Sequence, residues 1–221
     1  EFRDEALEAA KTVKWYPKWG EDRMLNMLKD RGDWCISRQR VWGVPIPIFY
    51  CADCGKELIN EQTIELLNKI FKEQGTNAWY ELSPEELLKG YTHTCECGCK
   101  ELVKETDIMD VWFDSGSSHF AVLNDKFGLT WPADLYLEGN DQYRGWFQSS
   151  LLTSVAVNGK APYRENVTHG FLIDEDKRKM SKSLGNGIDP LEVMKEYGTD
   201  ALRFSLIQNI APGNDIRYIP E

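Results

Sequence analysis

Apolar positions recur along the chain with two different spacings. Over residues 1–13, Phe2, Ala6, Ala9, Ala10 and Val13 fall near one face of a helical repeat, which predicts a helix. Trp15-Tyr16-Pro17-Lys18-Trp19-Gly20 interrupts it. Met24, Leu25, Met27 and Leu28 then predict a second helix from about Glu21 to Asp30, closed by Gly32. Helical spacing returns over Glu61 to Gln74, with Ile64, Leu67, Ile70 and Phe71 inward and Gly75 as the stop. Ser83-Pro84-Glu85-Glu86 has the spacing of a capping box with Pro at the first helical position, so another helix starts there. The apolar run from Asp107 to Phe113 reads as a strand that carries Asp114, Ser115 and His119 to a site at its end; the equal alternative is core packing for Trp112 and Phe113 and a helix cap or turn at Asp114 and Ser115.

Residues 134–172 predict the architecture most directly. A strand at Asp134–Glu138 and a turn at Gly139–Gln142 precede a helix from about Arg144 to Val157, on which Phe147, Leu151, Leu152 and Val155 are apolar. Asn158-Gly159 stops it, and a second strand runs over residues 166–172. Strand, helix, strand predicts a parallel pair. That topology puts Glu138, Asp141, Gln142, His169 and Gly170 at the carboxyl edge of the sheet, where open α/β sheets bind ligands. Asp189-Pro190 and Thr199-Asp200 start two last helices, the second with Ala201, Leu202, Phe204, Ser205 and Leu206 inward. The fold class is α/β.

Composition narrows the function classes. No stretch approaches the roughly 20 apolar residues of a membrane span, and the charged Glu1-Phe2-Arg3-Asp4-Glu5 is no signal peptide, so no membrane and a cytoplasmic setting are expected. The chain does not begin with Met and reads as a piece of a longer protein. A net charge of −10 argues against a chain-wide nucleic-acid footprint but leaves room for local basic patches, at Arg31, Arg38 and Arg40 and around Lys182.

Six cysteines outside a secretory context point to metal more than to disulfides. Cys51-Ala52-Asp53-Cys54-Gly55 has the two-residue gap of a zinc knuckle, and Cys95-Glu96-Cys97-Gly98-Cys99 would be the second. Cys97 precedes a glycine as Cys54 does. The fourth ligand is Cys95 or Cys99, with Cys95 preferred, and four thiolates make the zinc structural. Cys35 is expected to be a buried thiol. Residues 49–104 would thus form an insertion of their own.

Two stretches carry other chemistry. Lys179-Met180-Ser181-Lys182-Ser183, followed by Leu184-Gly185-Asn186, supplies two ammonium groups, two hydroxyls and loop amides, which together suit a polyphosphate. In residues 33–47, Arg38 and Arg40 offer planar forks for backbone phosphates, while the tryptophans of the segment are expected in the core.

These segments together resemble the bacterial isoleucyl-type class I aminoacyl-tRNA synthetases. The likeness rests on Trp34-Cys35-Ile36-Ser37-Arg38-Gln39-Arg40-Val41-Trp42-Gly43, Asp110-Val111-Trp112-Phe113-Asp114-Ser115-Gly116, Leu137-Glu138-Gly139-Asn140-Asp141-Gln142-Tyr143-Arg144-Gly145-Trp146-Phe147, His169-Gly170-Phe171 and Lys179 through Asn186. Valyl and leucyl relatives resemble the same scaffold but differ around Trp112–Gly116 and Trp146, which leaves a valyl-type relative as an alternative. The resemblance implies the second half of a Rossmann-type parallel-sheet catalytic domain with a small zinc-binding insertion and C-terminal helices. Residues 1–48 would be the connective segment and start of that half, 49–104 the insertion, 105–210 the catalytic half, and 211–221 the start of a linker.

By the same resemblance, Lys182 and Lys179 are catalytic, and Glu138, Asp141 and Gln142 hold the adenylate. His169, Gly170 and Phe171 cradle the adenosine, while Met180, Ser181 and Ser183 belong to the ATP loop. Trp112, Asp114 and Trp146 line the amino-acid pocket, and Arg38 and Arg40 contact tRNA. The implied ligands are ATP, Mg²⁺, structural Zn²⁺ on Cys51, Cys54, Cys95 and Cys97, L-isoleucine and isoleucine tRNA. Two departures stand out. Tyr143 occupies a position where the family often has His, so titration near neutral pH is lost. The first ATP motif of the class, a His-Ile-Gly-His-like sequence, does not occur in the chain. The chain by itself would then need the N-terminal catalytic half, or serve only as a non-catalytic zinc-containing unit.

Overall fold

The computed structural model describes residues 1–208 and 210–218, in two compact units: Glu1–Gly32 with the stretch from Ser115 onward, and Asp33–Asp114. Residues 219–221 of the expected linker lie outside the described residues.

The first unit is built on a parallel three-stranded sheet in the order Lys14–Tyr16, Tyr163–His169, Ala133–Gly139. Leu135 pairs with Glu165, and Gly139 lies opposite His169. The expected strand–helix–strand is present, with Trp146–Asn158 as its helix and Gly159 in the left-handed region ending it. That helix is buried on all sides from Phe147 to Val155, polar residues included. Two of its hydroxyls are spent on backbone carbonyls: Thr153 donates to Gly116 at 2.8 Å and Ser154 to Lys160 at 2.7 Å. Gly116 is required by space, since a Cβ there would lie 2.8 Å from the Ser149 backbone. Phe2–Lys11 packs beside it and Trp19–Lys29 packs on Phe2–Lys11, and Trp15, Tyr143, Tyr163, Phe147 and Leu151 form the aromatic and aliphatic core.

Four expectations change here. The aromatic break at residues 15–20 contains an edge strand, Lys14–Tyr16, paired with Glu165–Val167 across about 150 positions of sequence. The run expected as one strand over 166–172 divides into Tyr163–His169 and the separate Leu172–Ile173, which pairs in parallel with Ile216–Arg217. The last helix, Thr199–Gln208, buries none of its residues, and Phe204 and Ile207 stand exposed, so the inward face expected for it is not formed against this chain. The strand expected over 107–113 is only Ile108–Met109; from Val111 the chain is helical, so Trp112 and Phe113 ride on a helix. Asp110 causes the switch: its carboxylate accepts the Trp112 amide at 3.0 Å and its carbonyl accepts the Phe113 amide at 2.8 Å.

The second unit has an antiparallel sheet in the order Glu57–Leu58, Phe49–Cys51, Leu102–Lys104. Helix Glu61–Gln74 covers it, capped by a reciprocal Asn60–Thr63 pair and stopped by Gly75 as expected. Ser83 and Glu86 form the anticipated capping box on the single turn Pro84–Leu87. Phe49, Leu58, Leu67, Trp79, Leu87 and Leu88 make the core. Trp42 is not part of any core; it is 91% exposed, next to a fully exposed Val41. Cys35 is exposed rather than buried. Among the described residues no helix is long and apolar enough to cross a membrane.

Candidate nucleotide edge and metal centre

The carboxyl edge of the parallel sheet collects most of the polar residues expected there. Glu138 and His169 meet across the strands, Nε2 to Oε1 at 3.6 Å, and the Glu138 carboxylate also accepts the Gly139 amide at 2.9 Å. Asp141 sits on the following turn, close enough that a Cβ at Gly139 would lie 2.9 Å from its Oδ1. Gln142 acts locally, since its Oε1 accepts the Trp146 amide at 2.9 Å and so caps the buried helix. The Trp146 indole stacks on Tyr136 with 4.0 Å between centroids, and its N–H donates to the Ser115 carbonyl at 3.0 Å. Tyr143 is fully buried and shares a hydrogen bond of 2.9 Å with Thr168, so this aromatic serves as a core brace.

Beyond the edge, Leu172–Ile173 and Lys179 form a hairpin whose turn needs Lys177 at φ 63°. Asp174 holds the base of the loop. Its carboxylate takes the Asn186 amide at 2.8 Å, the Arg178 backbone N–H at 2.8 Å and the Arg178 guanidinium at 3.0 Å. The Asn186 contact is the main reason its pKa lies below the usual carboxylate value. Asn186 in turn accepts the Ser181 amide at 2.9 Å, and Ser181 and Ser183 share a hydrogen bond. Lys179 places its Nζ 3.7 Å from the Phe171 ring centre, a cation–π contact. A shallow pocket of about 340 Å³ is lined by Phe171, Lys179, Met180, Lys182, Gly187 and Ile188.

Phe171 is itself tied down from the far end of the chain. Asp215 accepts its amide at 2.8 Å, and its carbonyl accepts the Ile216 amide at 2.8 Å. Gly170 has no room for a side chain, because a Cβ would fall 2.1 Å from the Asn214 carbonyl oxygen. Sequence reasoning does not single out Asp174 or Asp215, and it quotes Asn186 only as the end of the loop motif, with no role. Their only signal is placement: an acid four residues before Arg178, an amide after the second lysine, and an acid after a Gly-Asn turn.

In the second unit the Sγ atoms of Cys51, Cys54, Cys95 and Cys97 lie within 4.8 Å of one another. Cys51 and Cys97 are 3.5 Å apart, as are Cys54 and Cys95. Tetrahedral zinc at about 2.3 Å from each sulfur needs edges of about 3.8 Å, so the donor set fits the ion. Gly55 and Gly98 turn the two knuckles at φ 70° and 90°. Cys99 points elsewhere, toward the Glu101 carbonyl at 3.7 Å. Without a cation the thiols cannot all ionise. The Cys54 amide, and more weakly the neighbouring thiols, bring Cys51 down to about 6. The Cys99 amide favours the Cys97 thiolate, yet donation to Cys51, burial and the other thiols push it up to about 12.

Arg38 and Arg40 differ in their surroundings. Arg38 forms an ion pair with the buried Asp110 and donates to the carbonyls of Cys35 and Ser37, whereas Arg40 is exposed. Trp112, 42% exposed, and Asp114 belong to the second unit.

Residues 1–218 match the family model for class I tRNA synthetases of the I, L, M and V group. The chain belongs to that family. It is 68% identical over 203 residues to the isoleucine–tRNA ligase of Thermoanaerobacter sp. (strain X514), covering 91% of this chain and 22% of that protein. It is 63% identical over 220 residues to the isoleucine–tRNA ligase of Caldanaerobacter subterraneus subsp. tengcongensis, covering 100% of this chain and 23% of that protein. The chain thus spans under a quarter of the length of these relatives. A solved ternary complex, Agrobacterium radiobacter K84 agnB2 LeuRS–tRNA–LeuAMS, matches with a TM-score of 0.58 at 24% identity over 86% of this chain and 26% of that one, and shares the fold. Among class I synthetases, use of ATP with Mg²⁺ is general.

Proposed function

We propose that the chain is part of the catalytic region of an isoleucine–tRNA ligase, which activates L-isoleucine with ATP and passes it to isoleucine tRNA. The observation that carries the reading is the pairing of Gly139 with His169 at the sheet edge, next to the loop that holds Lys179 and Lys182. In the first step the isoleucine carboxylate attacks the α-phosphate of ATP, the bond to the β-phosphate breaks, and pyrophosphate leaves. In the second, a ribose hydroxyl of the terminal tRNA adenosine attacks the acyl carbon and AMP leaves. No covalent enzyme intermediate is needed, so alignment and charge do the catalysis. Lys182 and Lys179, with Mg²⁺, would carry the phosphate charge. Met180, Ser181 and Ser183 would form the ATP loop, and His169, Gly170 and Phe171 the adenosine cradle. Glu138, Asp141 and Gln142 would hold the adenylate. Trp146 is assigned to the isoleucine side chain; the same assignment for Trp112 and Asp114 rests on the sequence resemblance, as does tRNA contact by Arg38 and Arg40.

Structural zinc on Cys51, Cys54, Cys95 and Cys97 would brace residues 49–104 and leave no open position for chemistry. The divisions 1–48, 49–104, 105–210 and 211–221 are proposed for the longer protein, as is a cytoplasmic location. Because the chain contains no His-Ile-Gly-His-like motif, catalysis is assigned to the longer protein. The test is isoleucine-dependent ATP–pyrophosphate exchange in that protein. Lys182→Ala should lower it at least a hundredfold, and unchanged exchange would remove Lys182 from its role. A panel including valine separates the isoleucyl from the valyl reading, since a pocket alone distinguishes the two amino acids by only about 1–3 kcal/mol.

A further inference from the structure

The lysine loop has little packing to hold its shape. Lys182, Ser183, Leu184 and Gly185 are all exposed. Around Lys182 the chain turns: the Leu184 amide donates to the Ser181 carbonyl at 3.3 Å and the Gly185 amide to the Lys182 carbonyl at 3.3 Å, with Gly185 at φ 64°. Bonds of that length on an exposed turn open readily and do not fix Lys182 by themselves. The anchor lies outside the turn.

That anchor is one side-chain amide and one carboxylate. Asn186 uses both ends of its amide. Its Oδ1 accepts the Ser181 backbone N–H at 2.9 Å, and its Nδ2 donates to Asp174 Oδ2 at 2.8 Å and to the Lys179 carbonyl at 3.4 Å. Lys179 and the residue just before Lys182 are thereby tied to a single group. Asp174 is fixed in turn. Its side chain is only 12% exposed, its Oδ1 accepts the Arg178 backbone N–H at 2.8 Å, and its own backbone N–H donates to the Arg178 carbonyl at 2.9 Å. The Arg178 guanidinium divides between Asp174 at 3.0 Å and Asp176 at 2.9 Å. A hydrogen bond to an ionised carboxylate is roughly twice as strong as a neutral one, so the Asp174–Asn186 link is the firm point of the loop.

We propose that Asp174 is a positioning residue for ATP activation, acting through Asn186 to hold the Lys179–Ser183 loop in the shape that meets the phosphates; this rests on the reading above that the loop binds ATP. Asp174 does not meet the phosphates itself, since like charges repel. Its effect reaches them through the amide, by removing the cost of ordering the loop during binding and reaction. Asparagine cannot stand in for Asp174, because both carboxylate oxygens accept donors and an NH₂ group would face one of them. Asp174→Asn combined with Asn186→Asp is different: it restores a donor–acceptor pair with reversed polarity and leaves the net charge unchanged.

The test is isoleucine-dependent ATP–pyrophosphate exchange by the full-length protein, with kcat and the KM of each substrate measured and a melting curve for every variant. Asp174→Asn should lower kcat/KM for ATP about tenfold or more and leave KM for isoleucine within about twofold of the parent. Asn186→Asp alone sets two carboxylates against each other and should be the more severe. The double exchange should bring kcat/KM for ATP back to within about threefold of the parent. Parent-like kinetics in Asp174→Asn would overturn the inference, and so would a double variant with no recovery. Equal damage to the KM for isoleucine, or a loss that follows the folded fraction, would assign Asp174 to general stability and overturn it as well. Lys182→Ala separates the two levels. If it abolishes exchange while Asp174→Asn is silent, only the role of Asp174 fails; if Lys182→Ala is itself silent, the ATP loop on which that role rests fails.

Discussion

Replacing Gly170 with alanine tests how the loop is held. The added Cβ would sit 2.1 Å from the Asn214 oxygen, 2.2 Å from its carbonyl carbon and 2.5 Å from the Asp215 nitrogen. All three are backbone atoms, so one segment has to move by roughly an ångström to reach ordinary contact distance. Overpacking of this kind costs about 1–3 kcal/mol when the surroundings stay in place. The alternative is for residues 210–218 to peel away. That sacrifices the Phe171–Asp215, Ile216–Phe171 and Tyr218–Ile173 hydrogen bonds, roughly 1 kcal/mol each and about 3 kcal/mol together. The two costs are comparable, and the clash is with backbone that cannot rotate aside, so peeling is the expected response. Amide exchange reads it directly: a loss of about 3 kcal/mol is two decades of protection at Ile216 and Tyr218, with the amides of helix Trp146–Asn158 unaffected. Phe171 would then lose its tether and Lys179 its ring, so ATP affinity should drop as well. Unchanged protection at Ile216 would refute the account. Equal loss throughout the unit would show that the segment does not open separately.

Two further outcomes follow, one from a buried imidazole and one from the cysteine cluster. His119 accepts the Trp131 indole N–H at Nδ1 at 3.1 Å and faces Thr153 through Nε2, and burial brings its pKa down from 6.5 to about 4. A depressed histidine stabilises fully above pH 6.5 and loses that contribution as pH falls toward 4, by about 3 kcal/mol in total. Urea unfolding at pH 7, 5.5 and 4 should therefore show a steeper acid loss in the parent than in His119→Gln, and parallel curves would contradict this. Cys54→Ser together with Cys97→Ser should abolish bound zinc by plasma emission and unfold the Asp33–Asp114 unit, since such an ion is worth on the order of 10 kcal/mol of folding energy. Metal retained by the double variant would disprove the assigned ligands.

Where local chemistry decides the structure, the sequence is informative. Helix Glu61–Gln74 has an apolar face and a terminal glycine, and both agree with what is observed. The parallel pair around helix Trp146–Asn158 is likewise legible from its spacing and stops. Other features depend on partners distant in sequence. Lys14–Tyr16 is three residues long and becomes a strand only against Tyr163–His169. Trp112 and Phe113 have strand-like character, and one carboxylate, Asp110, converts them to helix. Two residues expected at the nucleotide also have structural roles: Gln142 caps a helix, and Gly170 provides space for a returning segment. Nothing in a local window could show that Asp215 reaches Phe171.

The pairing of Lys14–Tyr16 with Glu165–Val167 also bears on how the protein is made. A ribosome delivers the first strand long before its sheet neighbour exists. At roughly 5–20 residues per second, the wait is on the order of ten seconds. During that time Asp33–Asp114 can collapse around its own core, with the proposed zinc on its cysteine cluster, so that a long stretch of the intervening chain is already ordered when the second strand appears. The insertion would then shorten the search that the sheet faces, because an ordered loop costs less entropy to close than a flexible one of the same length. Zinc supply during synthesis would accordingly influence the yield of folded sheet, although no cysteine lies in it.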